Sequence, residues 1–207
     1  MSIPIMRKRA VNFTVPLACM LGMLLTVTSC SDKKKADRQA QMRAMLMGYF
    51  TVRQIPEMPI SGLWTADQQS LANMIEKKYL TSYVAKPDEK KASEIRERLK
   101  SLKVHFRIQG RSVQMLTIVA DSVGATAGEL SEKPSGDPNL RLFHAQMRGK
   151  GGSLNAIFRL RKSKTEERLE YEEGGLTLMA IREIEKPEVL ATRYLEQINA
   201  ATGLSQY

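Results

Sequence analysis

The chain has 207 residues, a formal net charge of +10, 43% hydrophobic residues, two cysteines, two histidines and a single tryptophan. That length fits one domain of ordinary size, and the apolar content suffices for a packed core, which excludes an intrinsically disordered chain. So few cysteines exclude a disulfide scaffold, and the absence of zinc-ligand spacing among the cysteines and histidines excludes a zinc module as well.

Arg7, Lys8 and Arg9 form a basic cluster, and the apolar segment from Val11 to Val27 that follows carries no charge. A basic end, an apolar middle and small residues at the exit are the layout of a secretory signal. A membrane-spanning helix takes about 20 mostly apolar residues, whereas this segment is shorter and is interrupted by Asn12, Thr14 and Pro16. It runs into Val27-Thr28-Ser29-Cys30, and a lysine-rich tract begins three residues later. An aliphatic residue, two small residues and a cysteine resemble the lipobox of bacterial lipoproteins; Cys19, with Pro16 in the aliphatic position, fits that pattern less well.

The resemblance implies that residues 1–29 are a signal peptide and that Cys30 becomes the acylated N-terminus, thioether-linked to a diacylglyceryl group. Several acyl chains, at about 0.8 kcal/mol per buried CH₂, make a stable anchor where one would be marginal. It also implies a place in the cell envelope, and Ser31 rather than aspartate after Cys30 points to an outer membrane, facing the periplasm, in a two-membrane cell. Both Met1 and Met6 stand as translation starts, since Met6 would set Arg7 directly behind the initiator. Cleavage removes the three charges of Arg7, Lys8 and Arg9 and leaves a basic chain without a free thiol. Export argues against nucleic acid as a partner. The expected partners are the membrane, through the chains on Cys30, and an anionic surface: lipid headgroups, an envelope polymer or an acidic envelope protein.

Residues 30–48 read as the acylated cysteine, a basic tether with Lys33, Lys34 and Lys35, and a short helix with Met42, Met45 and Leu46 on one side. Residues 49–207 read as a single domain. "ISGLW" at residues 60–64 predicts a strand that carries the tryptophan. Asp67 is placed to cap a helix whose apolar face is Leu71, Met74, Ile75 and Tyr79, and Pro87 opens a second helix with Ala92, Ile95, Leu99 and Leu102. After Leu102 the apolar period changes to two. Val104, Phe106 and Ile108 fall on one face of a strand, with Lys103, His105 and Arg107 on the other, and a turn at Gly110-Arg111 leads into "SVQMLTIVAD". Further strands are predicted at 124–132, 140–147, 154–162, 167–172 and 176–184, separated by "KPSGDPN", "RGKGGS", "KSKTE" and "GG". Strands in succession without intervening helices predict an antiparallel meander. Pro187 opens a closing helix with the stripe Leu190, Tyr194, Leu195 and Ile198, and Gly203 ends it.

The Gly62-x-Trp64 strand, helices, meander and final helix, in that order over residues 60–200, resemble the lipocalin-like small β-barrel lipoproteins. The fold class expected is therefore α+β: an antiparallel meander, half-barrel or small barrel, of about six to seven strands with two helices inserted early and one C-terminal helix. The resemblance implies one functional alternative, a carrier of a small apolar ligand.

No catalytic motif is present. His105 and His144 lie on predicted strands without a nucleophile elbow or a His-Glu-x-x-His helix, so neither catalysis nor a metal or cofactor site is expected. They would make a poor metal site even on neighbouring strands with the same orientation. Glu166, Glu167, Glu170, Glu172 and Glu173, with Arg168 among them, read as a solvated edge strand rather than as paired glycosidase carboxylates. "RGKGGS" at residues 148–153 lacks the residues and helix of a phosphate loop and reads as a hairpin turn. The candidate site is instead a basic strip of Arg141, Arg148, Lys150, Arg159, Arg161 and Lys162. With Leu154, Ala156, Phe158 and Leu160 facing the core, Arg159 and Arg161 share the opposite face with Asn155 and Ile157. A non-enzymatic binding or assembly module held by such a strip is the expected function. Reversing Arg159, Arg161 and Lys150 is expected to abolish partner binding at little cost in stability.

Overall fold

Strict apolar alternation in one strand after another requires a sheet with one buried face, and a sheet that curls on itself buries that face without a second layer. The computed structural model describes residues 32–52, 55, 58–82, 93, 97, 100–120, 122–149, 152–163 and 166–201. Its elements are α1 (Asp32–Phe50), β1 (Gly62–Ala66), α2 (Gln68–Ser82), β2 (Lys103–Gln109), β3 (Ser112–Val119), β4 (Ser122–Lys133), β5 (Leu140–Gly149), β6 (Gly152–Lys162), β7 (Glu167–Glu173), β8 (Leu176–Arg182) and α3 (Pro187–Ala201). The eight strands form a closed antiparallel barrel in sequence order, with β1 paired to β8 through Trp64–Arg182, Thr65–Ile181 and Ala66–Ala180. The expected six to seven strands are thus eight. β1 is only five residues long, yet it is the piece that closes the ring.

Hairpin connections follow from the turn chemistry. Gly174 and Gly175 both adopt positive φ, +59° and +80°, between β7 and β8. A two-residue turn that matches the strand twist needs that conformation twice in succession, and glycine adopts it without a side-chain clash.

Inside the barrel the alternation holds in most strands, while β4 contributes only Leu130 to the interior. Trp64, Phe106, Ile108, Val113, Phe143, Met147, Phe158, Leu169, Tyr171 and Leu178 belong to one buried cluster. β2 and β6 stand four strands apart, on opposite walls, and their rings still touch: Phe106 and Phe158 have centroids 5.6 Å apart. Tyr171 completes the group at 5.0 Å from Phe106 and 5.3 Å from Phe158. Side chains from facing walls therefore fill the lumen at that level. Eight strands leave room for such filling or for one small ligand.

α2 contributes Leu71 and Ile75 to the interior cluster. Its start is capped as expected, with the Asp67 carboxylate accepting from the Ser70 amide at 2.8 Å. The second early helix, expected from Pro87 to Leu102, falls for the most part outside the described residues, as does Gly203.

α1 and α3 cover the outer wall instead. Leu46, Tyr49 and Phe50 of α1 and Leu190, Ala191 and Tyr194 of α3 pack with Leu63, Leu116 and Ile118 of β1 and β3. α1 differs from the expected tether: it is helical from Asp32 onward. The run from Lys33 to Met47 contains no glycine, proline or β-branched residue, and strong helix formers sustain a helix even where most side chains meet solvent. Leu46 is fully buried in the outer layer, whereas Met45, expected on the same face, is exposed.

Candidate functional site

The described cations of the expected strip divide between two phases of the barrel wall. Strand alternation gives Arg141 the inward phase of Phe143 and Ala145, and Lys162 that of Leu160, so both sit at the barrel rim. Arg148, Arg159 and Arg161 take the outward phase shared with His144, Asn155 and Ile157. Lys150 lies outside the described residues.

Most of these cations also have acidic partners. Arg141 makes two bonds to Glu132, at 2.7 and 2.8 Å, and its guanidinium holds the Glu132 carboxyl below the usual carboxylate range. On the outer wall Arg159 pairs with Glu172 at 2.5 Å and Arg161 with Glu170 at 2.7 Å, while Lys162 lies 3.9 Å from Glu167. The acidic cluster of β7 is thus the counter-charge of the basic cluster of β6. β7 is not an edge strand either, because β6 and β8 flank it in the closed ring. Alternation within one strand shows which residues share a face; it does not show which strand lies beside it.

The ladder changes the expectation for charge reversal. Arg159→Glu would set two carboxylates side by side across β6 and β7, and like charges on paired strands are destabilising. A loss of about 1–2 kcal/mol is expected, shrinking in about 1 M salt as screening shortens. Urea denaturation at low and high salt measures both.

The concave surface of the barrel lies elsewhere. An open cleft of about 1600 Å³ runs across β4, β5 and β6, with Glu129, His144, Gln146, Arg148 and Asn155 among its lining residues. Register explains the grouping: Glu129 pairs with Gln146 and Gln146 with Asn155, a polar row across three strands. Carboxylate, amide, imidazole and guanidinium groups present both donors and acceptors. Apolar Ile55, Met58, Leu130, Ala145, Ala156 and Ile157 share the lining, so the cleft offers hydrogen bonds beside apolar contact. Of the candidate strip, Arg141 and Arg148 reach this cleft.

The two histidines occupy different environments. His144 on β5 is exposed, His105 on β2 is completely buried, and β3 and β4 separate their strands, so they cannot share a metal. Among the described residues no three His, Cys, Asp or Glu side chains gather as a metal site. The alternation of β2 places His105 on the outward face. Its burial comes from α1 and α3, which the alternation of β2 cannot reveal.

Trp64 closes one end of the barrel. Its indole Nε1 donates to the Ile60 carbonyl at 2.8 Å, and the Arg182 guanidinium lies 4.3 Å above the ring. Arg182 also donates to the carbonyls of Ser61 and Pro59, at 2.9 and 2.7 Å, and pairs with Glu167 at 2.8 Å. The tryptophan is thus a core plug with a cationic lid.

No family model matches the sequence. No curated protein matches it either. Among solved structures, one similar chain is the "REP1-NXSQ fatty acid transporter": it is 11% identical, the alignment covers 61% of this chain and 98% of that chain, and the TM-score is 0.31.

Proposed function

We propose that this protein is a lipid-anchored, non-enzymatic binding or assembly module of the cell envelope that meets its partner through the outer wall of the barrel. The observation that carries the proposal is the filling of the lumen by Phe106, Phe158 and Tyr171. A carrier of a small apolar ligand needs an apolar cavity of roughly 300–1,000 Å³. The cleft over β4 to β6 is larger and open, and its lining mixes polar with apolar side chains, which suits an extended partner such as an envelope polymer or a protein segment. Anchoring rests on the sequence of residues 7–30, which lies outside the described residues.

The second reading is the lipocalin-like carrier, favoured by the closed eight-stranded meander with an apolar interior. In that reading a ligand must displace the three rings at the centre.

Photo-crosslinking separates the two readings. A crosslinking residue in place of Gln146, in the cleft, should give a discrete adduct in native envelopes, and one in place of Thr177, exposed on β8, should give none. Cys30→Ser should remain an unacylated precursor and lose the adduct. Equal adducts at both positions would contradict the proposal. A stoichiometric apolar molecule that copurifies with the protein, without any adduct, would replace it with the carrier.

A further inference from the structure

His105 is the point at which both outer helices meet the barrel. Its ring lies edge-on to Phe50 of α1, with centroids 5.3 Å apart, and to Tyr194 of α3, at 5.2 Å. Tyr49 of α1 reaches past it, with its hydroxyl 2.9 Å from the carbonyl oxygens of His105 and of Gln114 on β3. Both ring nitrogens are engaged: Nε2 with the Tyr194 hydroxyl at 2.8 Å and Nδ1 with Thr65 Oγ1 at 3.0 Å.

Proton accounting assigns the tautomer. Thr65 has one hydroxyl hydrogen and donates it to the Glu183 carboxylate. It therefore accepts from His105, which makes Nδ1 the donor. In a neutral imidazole the other nitrogen is an acceptor, and the Tyr194 hydroxyl donates to it. The chain Tyr194, His105, Thr65 and Glu183 is complete, with every hydrogen placed, only while the ring is neutral. A proton added at Nε2 turns that nitrogen into a donor. It also strands the phenolic hydrogen of Tyr194, which is buried among Phe50, Leu190 and Ala191. An unsatisfied polar hydrogen and a new charge would then share an apolar box, and each is costly there.

The charged groups around the ring act in opposite directions. Lys103 on β2 and Arg193 on α3 disfavour a cationic imidazole, and Glu183, beyond β8, favours it; α1 contributes the uncharged Tyr49 and Phe50, and β3 the apolar Leu116. We propose that His105 is an acid-released latch: proton uptake at its ring undocks α1 and α3 and bares Leu63, Leu116 and Ile118, while the barrel stays closed. The division into layers supports a local event, because the interior cluster shares no residue with the outer one.

Burial, the largest influence, pushes His105 down to about 4, whereas an exposed histidine titrates near 6.5. The neutral ring is thus favoured in the docked state. Its contribution is complete above about pH 6.5 and falls as the pH drops from there toward 4. The idea stands independently of the lipid anchor.

Hydrogen exchange of the full chain in detergent micelles, corrected for intrinsic rates, tests it at about pH 7 and about pH 4.5. Protection in α3 and in the C-terminal half of α1 should fall by about 100-fold at the lower pH, while β5, β6 and β7 stay protected. His105→Gln should remove the pH dependence. Glu183→Gln, which takes away the charge that favours the protonated ring in the docked state, should leave the onset near pH 6.5 in place and make the loss of helix protection at about pH 4.5 no smaller than in the wild type. Unchanged helix protection, the same loss in His105→Gln, or loss from β5 to β7 together with the helices would each overturn the latch.

Discussion

Phe158→Ala should lower the unfolding free energy by about 3–5 kcal/mol, the range for deleting a buried aromatic ring. Phe158 is fully buried and belongs to a three-ring contact that joins opposite walls of the barrel. Its neighbours in register on the flanking strands are Phe143 on β5 and Tyr171 on β7, both also fully or almost fully buried. Strands in a closed ring cannot close in around a missing ring without breaking cross-strand hydrogen bonds, so the space should persist as a hole. An apolar hole stays dry and takes up small apolar molecules. The variant should therefore show a lower urea midpoint and newly acquired binding of a small aromatic probe. An outer-wall control, Leu142→Ala on half-buried Leu142, should cost about 1 kcal/mol or less and bind nothing new.

Arg182→Ala should cost about 3 kcal/mol, most of it from groups left behind. The guanidinium satisfies the Ser61 and Pro59 carbonyls, pairs with Glu167 and covers the Trp64 ring. Removing one partner from a half-buried network leaves acceptors unsatisfied, at about 1–3 kcal/mol each. Glu167→Gln keeps an acceptor for Arg182 and should cost only about 1 kcal/mol. Gly62→Ala should approach the effect of Arg182→Ala for a different reason. Its φ of +148° is a conformation that L residues rarely adopt, and a methyl there would collide with the Arg182 guanidinium. Thermal unfolding of the three variants ranks them.

Much of the barrel wall was legible in the sequence. Val104, Phe106 and Ile108 face inward and Lys103, His105 and Arg107 outward, as the period-two pattern requires. The cap at Asp67 and the stripe of α3 were equally readable, since both depend on neighbours within four residues. What escaped was non-local. The Arg159–Glu172 and Arg161–Glu170 pairs require β6 and β7 to lie side by side in a particular register, and the strand count required β1 to close on β8. The burial of His105 required two helices, more than 50 residues before it and more than 80 after it, to meet at one strand. The polar row of Glu129, Gln146 and Asn155 carries no signature within any single strand, because its three members come from three of them.

A filled lumen, with recognition on the outer wall, is tested most directly by titrating the wild-type protein with a long-chain fatty acid while following the methyl NMR signals of Leu169, Leu178 and Ala180. These methyls sit in the interior cluster on β7 and β8, away from the residues that line the cleft. The wild type should show no saturable shift at any of the three, and Phe158→Ala should show one only with a small aromatic probe, since the hole left by one ring is too small for the acyl chain. A saturable, one-to-one shift of these methyls in the wild-type protein would contradict the account.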